Sequence, residues 1–245
     1  MSESSEIETG GRREAIFARI REALRAIAPE PFAHGCGTGR AARAPLPAGM
    51  TPASDEARAW LPHVGETPSE WRVALERNLA GLRADFVALS DPADLAVQLA
   101  RIAADERWTS VAAMRSDPSV AEAAVALGLP VVWGDEPYDV SAMEAASAGI
   151  TRCDALVAQT GTVVLTSPTG GGRVLSVLPP HHLVVAKADE IVRDLPAAFE
   201  LLQARYGERW PGMVTFISGP SRTGDIERIL VLGAHGPKQL TVLLS

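Results

Sequence analysis

Four turns rich in glycine and polar residues interrupt apolar segments in the second half of the chain. The first is Gln159-Thr160-Gly161-Thr162, and the second is Thr169-Gly170-Gly171-Gly172-Arg173. The third runs from Ser218-Gly219-Pro220 through Ser221-Arg222-Thr223-Gly224-Asp225, with Glu227 just beyond, and the fourth is His235-Gly236-Pro237-Lys238. Glycine lets backbone N–H groups approach an anion closely. Arg173, Arg222 and Lys238 add positive charge that a carboxylate or phosphate can use. Glu227 and His235 are the candidate proton-transfer groups. The candidate ligand-binding set is Thr160, Gly161, Thr162, Arg173, Ser221, Arg222, Thr223, Asp225 and Lys238. The plainer reading is that these are hairpin turns, with Gly for positive φ and Ser or Asp for local backbone bonds. It is at least as good for the triple-glycine turn. For the third turn, the density of hydroxyls, guanidinium and carboxylates favours function.

Other chemistries find less support. The chain has no G-x-x-x-x-G-K-[ST] phosphate loop and no H-E-x-x-H helix. Gly35-Cys36-Gly37-Thr38-Gly39 lacks the strand and helix that a phosphate loop needs around it. Gly219-Pro220-Ser221-Arg222-Thr223 misses the G-x-S-x-G elbow at its fifth position, although His182 or His235 could serve Ser221 as a base. His181 and His182 are adjacent on an expected strand, so they point to opposite faces and make a poor chelating pair; no metal site is expected. Cys153 reads as a core thiol, and Cys36 has no visible base.

These turns need elements to hold them. Thr67-Pro68-Ser69-Glu70 predicts a helix start, with Trp71, Leu75, Leu79 and Leu82 along one face. Strands are expected at Phe86–Leu89, Ser110–Met114 and Val131–Trp133, alternating with helices that open at Asp91-Pro92, at Asp117-Pro118 and near Ser141. That alternation predicts parallel pairing with helices on the faces. Further on, Ala155–Ala158, Thr162–Ser167 and Val174–Val177 predict close-spaced hairpin strands. A strand at His182–Ala186 and a helix from about Asp189 to Tyr206, kinked at Pro196, follow. The last strands expected are Met213–Ile217, Ile226–Leu232 and Leu240–Leu244.

Residues 11–27 read as an amphipathic helix, locally basic through Arg12, Arg13, Arg19, Arg21 and Arg25. Packing on its own acidic domain is favoured over docking on an acidic partner. Residues 28–55 carry five prolines and read as a linker, so the division is 1–55 and 56–245.

Composition bounds the function. The 245 residues are 47% hydrophobic and 22% charged, ordinary for a globular protein. A formal net charge of −7 argues against sequence-independent nucleic-acid binding. Two cysteines cannot ligate an iron–sulfur cluster. No apolar run reaches membrane-spanning length, and Met1-Ser-Glu-Ser-Ser-Glu lacks a secretory layout, so a reducing cytoplasm is expected.

Several separated motifs, in order, resemble the lactate utilization protein C family with its LUD domain. They are Gln159-Thr160-Gly161-Thr162-Val163-Val164-Leu165, Leu178-Pro179-Pro180-His181-His182, Ser218 through Glu227, and Leu232-Gly233-Ala234-His235-Gly236-Pro237. Gln159 stands where many relatives have an acidic residue, and Gly224 where many have Ala. The resemblance implies a three-layer α/β/α sandwich with a mixed sheet and an antiparallel hairpin elaboration, similar to the sugar-phosphate isomerase and CoA-transferase superfamily. It implies a subunit of a cytoplasmic system that oxidises L-lactate to pyruvate. Its partners would be an iron–sulfur subunit and a cysteine-rich-motif subunit, with the clusters on those partners and no cofactor on this chain. Two other readings stand beside it: a stand-alone enzyme acting on a CoA ester or phosphorylated metabolite, and a regulatory or assembly module.

Overall fold

The computed structural model describes residues 62–91, 93–226, 229–232 and 236–245, with side chains 223–232 excepted. The expected N-terminal helix and linker lie outside the described residues.

Local chemistry starts the helices where the sequence marks them. In α1 (Pro68–Gly81), Thr67 and Glu70 form a reciprocal capping box, and Ala74, Leu75 and Leu79 are buried. Strand β1 (Asp85–Ala88) leads to α2 (Asp94–Asp105), which buries Leu95, Leu99 and Ala103 at helical spacing. After β2 (Val111–Ala113), Asp117 caps α3 (Pro118–Ala126), its carboxylate accepting from the Val120 N–H at 3.0 Å. β3 (Val131–Trp133) and the short α4 (Val140–Ala145) precede β4 (Ala148–Thr151). Then come β5 (Ala155–Val157), β6 (Thr162–Thr166), β7 (His181–Ala186) and β8 (Ile191–Val192). Helix α5 (Leu195–Tyr206) is capped by Asp194. The chain continues through β9 (Val214–Ile217), β10 (Arg222–Ile226), β11 (Ile229–Leu232) and β12 (Gln239–Leu244).

Six strands pair in the order β1-β12-β7-β4-β2-β3, every pair parallel. A four-stranded sheet, β8-β5-β6-β9, mixes one parallel pair with two antiparallel ones, and β10-β11 is an antiparallel hairpin. Alternation along the strands divides the core. Leu183 and Val185 of β7 pack with α2 and α3 on one face of the large sheet. Val184 and Ala186 face the other way, with Leu156, Val163 and Leu165 of the small sheet and the buried side of α1. The far face of the small sheet, through Ala155, Val157 and Val164, is covered by α5. Each fully buried leucine in these layers contributes about 2 kcal/mol.

The α/β class, the parallel sheet flanked by helices and the hairpin elaboration are as expected. The mixed pairing belongs to the second sheet. Four local expectations are corrected. The short helix expected over Ser141–Ala148, ending at Gly149, stops at Ala145, and Ala148 and Gly149 belong to β4; a Cβ at Gly149 would overlap the Leu175 carbonyl oxygen. Val174–Val177 is a tight turn, with the N–H groups of Val177 and Leu178 both donating to the Val174 carbonyl. That turn drives the fully buried Leu175 against Gly134 and Gly149. Residues 189–206 are no single kinked helix, because Ala188–Glu190 is a 3₁₀ turn, β8 follows, and Pro196 sits in the first turn of α5. Ile226–Leu232 is not one strand but parts of β10 and β11, and Arg222–Asp225 lie in β10 and not in a turn.

Candidate functional site

A cavity of about 270 Å³ lies between the two large sheets. His182 and Leu240, near the starts of β7 and β12, line it from the six-stranded sheet. Thr215 and Ile217 of β9 line it from the four-stranded sheet. Ser176 and Val177, the stretch Ser218–Ser221, and Gly236-Pro237 close its ends. The turns are tied together by backbone bonds. The Ser221 N–H donates to the Pro237 carbonyl at 2.9 Å, and the Lys238 N–H donates to the Pro180 carbonyl at 2.7 Å. Gly219, at φ +86°, lets the third turn press on the end of α1, where a Cβ would lie 2.9 Å from the Leu82 carbonyl oxygen.

His182 is the distinctive group in this cavity. Its Nε2 lies 3.0 Å from the Thr151 hydroxyl, and the residue is 1% exposed. Its Nδ1 is buried with no hydrogen-bond partner among the described residues. Burial, and then the neighbouring His181, push its pKa down to about 3, so the ring is neutral at physiological pH. An unmet buried polar atom costs about 1–3 kcal/mol. None of the described lining residues is Asp, Glu, Lys or Arg. Ser221 shares the cavity, but no Ser221–His182 hydrogen bond exists, so no serine–histidine catalytic pair is formed.

The third and fourth expected turns therefore meet. The first reaches the cavity indirectly: Thr162 Oγ1 lies 2.7 Å from the Ser218 hydroxyl and 2.7 Å from that of Thr160. Gly161, at φ +63°, packs against the backbone of α1, where Asn78 donates to the Ala158 and Gln159 carbonyls. The second turn stands apart. Gly171 packs on Met114 and Leu175, and the Arg173 guanidinium donates to the Gly212 carbonyl at 3.2 Å. Arg222 is exposed, with its Nη2 3.5 Å from where a Gly219 Cβ would stand, and is not among the residues lining the cavity. Lys238 is exposed. Thr223 and Asp225 belong to β10, and their side chains are not described; Glu227 and His235 lie outside the described residues.

Two polar networks had no sequence signal beyond the residues themselves. On the opposite face of β7, His181 Nδ1 donates to Glu106 at 2.9 Å and Nε2 pairs with the Thr241 hydroxyl at 2.8 Å. The Trp108 indole N–H also donates to Glu106, at 2.9 Å. Behind the small sheet, Asp154 is fully buried and accepts from Thr169 at 2.5 Å, Arg205 at 2.7 Å and Tyr206 at 2.7 Å. Both networks are satisfied, and none of their residues lines the inter-sheet cavity. Burial, then the charge of Glu190, push the Cys153 thiol well up, in keeping with an inert core thiol.

Residues 141–245 match the family model described as the LUD domain. This segment resembles the LUD domain family. The matched segment runs from within α4 to the end of β12 and contains every described wall of the cavity, together with Thr151. The chain is 42% identical over 106 residues to lactate utilization protein C 1 of Bacillus mycoides, an alignment covering 42% of this chain and 45% of that protein. It is 34% identical over 119 residues to lactate utilization protein C of Deinococcus radiodurans, covering 48% and 55%. These matches span about half the length of the curated relatives. The crystal structure of a DUF162 family protein from Deinococcus radiodurans has the same fold, with a TM-score of 0.58 at 24% identity over 74% of this chain and 99% of that one.

Proposed function

We propose that this chain serves L-lactate utilization as a subunit of a system that oxidises L-lactate to pyruvate. One observation carries the reading: the segment that matches the LUD domain model contains every described residue lining the cavity, in a chain similar to lactate utilization proteins C. The redox work falls to partners that carry iron–sulfur clusters, because Cys36 and Cys153 are too few to ligate one here. The free, buried Cys153 suits a reducing cytoplasm. The chain contributes a ligand site between its sheets, and the strand-end turns hold that site in shape.

The test is genetic and biochemical together. Removing the chain from a host that grows on L-lactate should abolish growth on L-lactate and spare growth on pyruvate. The full-length chain should restore growth and co-purify with cluster-bearing proteins. Undiminished growth on L-lactate without the chain would overturn the proposal.

A further inference from the structure

The six-stranded sheet has a second cavity, of about 410 Å³, at the carboxyl ends of its strands, whereas His182 and Leu240 line the first near the amino ends. Leu89, Arg152 and Lys187 line it, and each directly follows a strand: β1, β4 and β7. Ser245 follows β12 in the same way, its carbonyl oxygen taken by the Ala188 N–H at 2.9 Å. Open parallel sheets bind ligands outside the carboxyl ends of their strands, where the strand order reverses. Here the chain steps outward from β2 to β3, then the other way from β4 to β7 and β12. Arg152, after β4, and Asp117, after β2, meet across that reversal at 3.6 Å.

Arg152 is 9% exposed, yet its guanidinium makes one hydrogen bond among the described residues, from Nη2 to Glu190 at 2.8 Å. Its Nε and Nη1 donate to no described residue and stay accessible, because His182 Nδ1 is the one sealed side-chain atom without a partner among those residues. Donors of this kind gain most from an ionised acceptor. Lys187 is exposed and belongs to no ion pair among the described residues. Three carboxylates stand close to these two cations: Asp117 and Glu190 beside Arg152, and Asp189 in the cavity wall. A phosphate dianion would meet their repulsion, and a single negative charge is the most the site can hold. The other walls are aliphatic: Leu95 and Val185 belong to the core on the helical face of the sheet, with Leu89 packed against it. We propose that this cavity binds a monocarboxylate with a short aliphatic chain, its carboxylate on Arg152 and Lys187 and its chain along Leu89, Leu95 and Val185. The volume lies within the usual range of small-molecule sites. The assignment does not rest on the lactate reading, since L-lactate has no chain to cover these walls.

Hexanoate is the probe, read by NMR on the full-length chain with ¹³C-labelled leucine and valine methyl groups. Hexanoate should move the Leu95 and Val185 methyl resonances in a saturable way and leave those of Leu240, in the inter-sheet cavity, in place. Acetate, hexanol and inorganic phosphate should each bind at least about tenfold more weakly. Acetate lacks the chain, hexanol lacks the charge, and phosphate lacks the chain and carries more charge. Lys187→Gln should weaken hexanoate about threefold to tenfold, as loss of one charge-assisted hydrogen bond does. Ala188→Trp, which fills the cavity from an exposed position, should abolish binding. Should either variant fail to fold, the other variant and the ligand series on wild type decide. No response to hexanoate, movement of Leu240 in place of Leu95, binding of any of the other three as tight as that of hexanoate, or undiminished binding by either variant would each overturn the assignment.

Discussion

His181 and His182 are neighbours on one strand, yet they face opposite layers and have opposite fates. His181 faces the helical layer, where Glu106 and Thr241 take both its nitrogens and the Trp108 ring meets its edge at 5.8 Å between centroids. His182 faces the second sheet, where Thr151 takes one nitrogen and the other is buried at the cavity wall without a partner among the described residues. The strand's two-residue period makes the separation unavoidable. The contrast distinguishes a fully bonded histidine from one that is only half bonded. The first spends both nitrogens on hydrogen bonds. The second leaves one nitrogen buried and unmet, at a cost in stability.

The comparison sharpens through mutation. The largest effect is expected at the other satisfied network. Asp154→Ala leaves Thr169, Arg205 and Tyr206 without their shared acceptor, and should lower unfolding free energy by about 3–5 kcal/mol in urea titrations. His181→Leu removes one donor from Glu106, which keeps the Trp108 indole N–H, and takes the His181 partner from the Thr241 hydroxyl; it should cost about 2–3 kcal/mol by the same measurement. Acid provides the third contrast. The pKa of His182 falls from 6.5 to about 3 on folding, so between those values the unfolded chain takes up a proton that the folded chain refuses. This contribution to stability is complete above pH 6.5 and is lost as pH falls toward 3. Wild type should therefore lose up to about 1.4 kcal/mol per pH unit more than His182→Leu across that window. Equal slopes would show that the ring titrates freely. At neutral pH, His182→Leu itself should change stability by no more than about 1 kcal/mol, because it removes a group that is only half satisfied. A loss as large as that of His181→Leu would erase the distinction between the two rings.

Much of the scaffold is legible in sequence because it is written locally. Thr67 and Glu70 mark the start of α1, and Asp117-Pro118 marks that of α3. The polar third and fourth turns stand out between apolar strands, and the fold brings Ser221 and Gly236-Pro237 to one cavity. What stays hidden depends on distant parts of the chain. His182 is paired across 31 residues to Thr151, on a strand that the small residues Ala148 and Gly149 disguise. The Val174–Val177 segment has the composition of a strand, yet Leu175 is pulled into a turn by the space that Gly134 and Gly149 leave for it. Asp154 gains its three donors from residues 15, 51 and 52 positions away. Pro196 looks like a helix breaker until the capping Asp194 shows that the helix begins there. Arg173 carries the right charge for a ligand site, but its turn packs against a different part of the fold.

The most direct test of the account sets the two histidines side by side in the cell. A host lacking the chain is complemented with His181→Leu or with His182→Leu, and growth on L-lactate is normalised to the amount of folded protein. His182→Leu should accumulate like wild type and fail to support growth, while His181→Leu should support growth in proportion to its reduced abundance. Normal growth with His182→Leu would contradict the claim that the cavity His182 lines is the functional site.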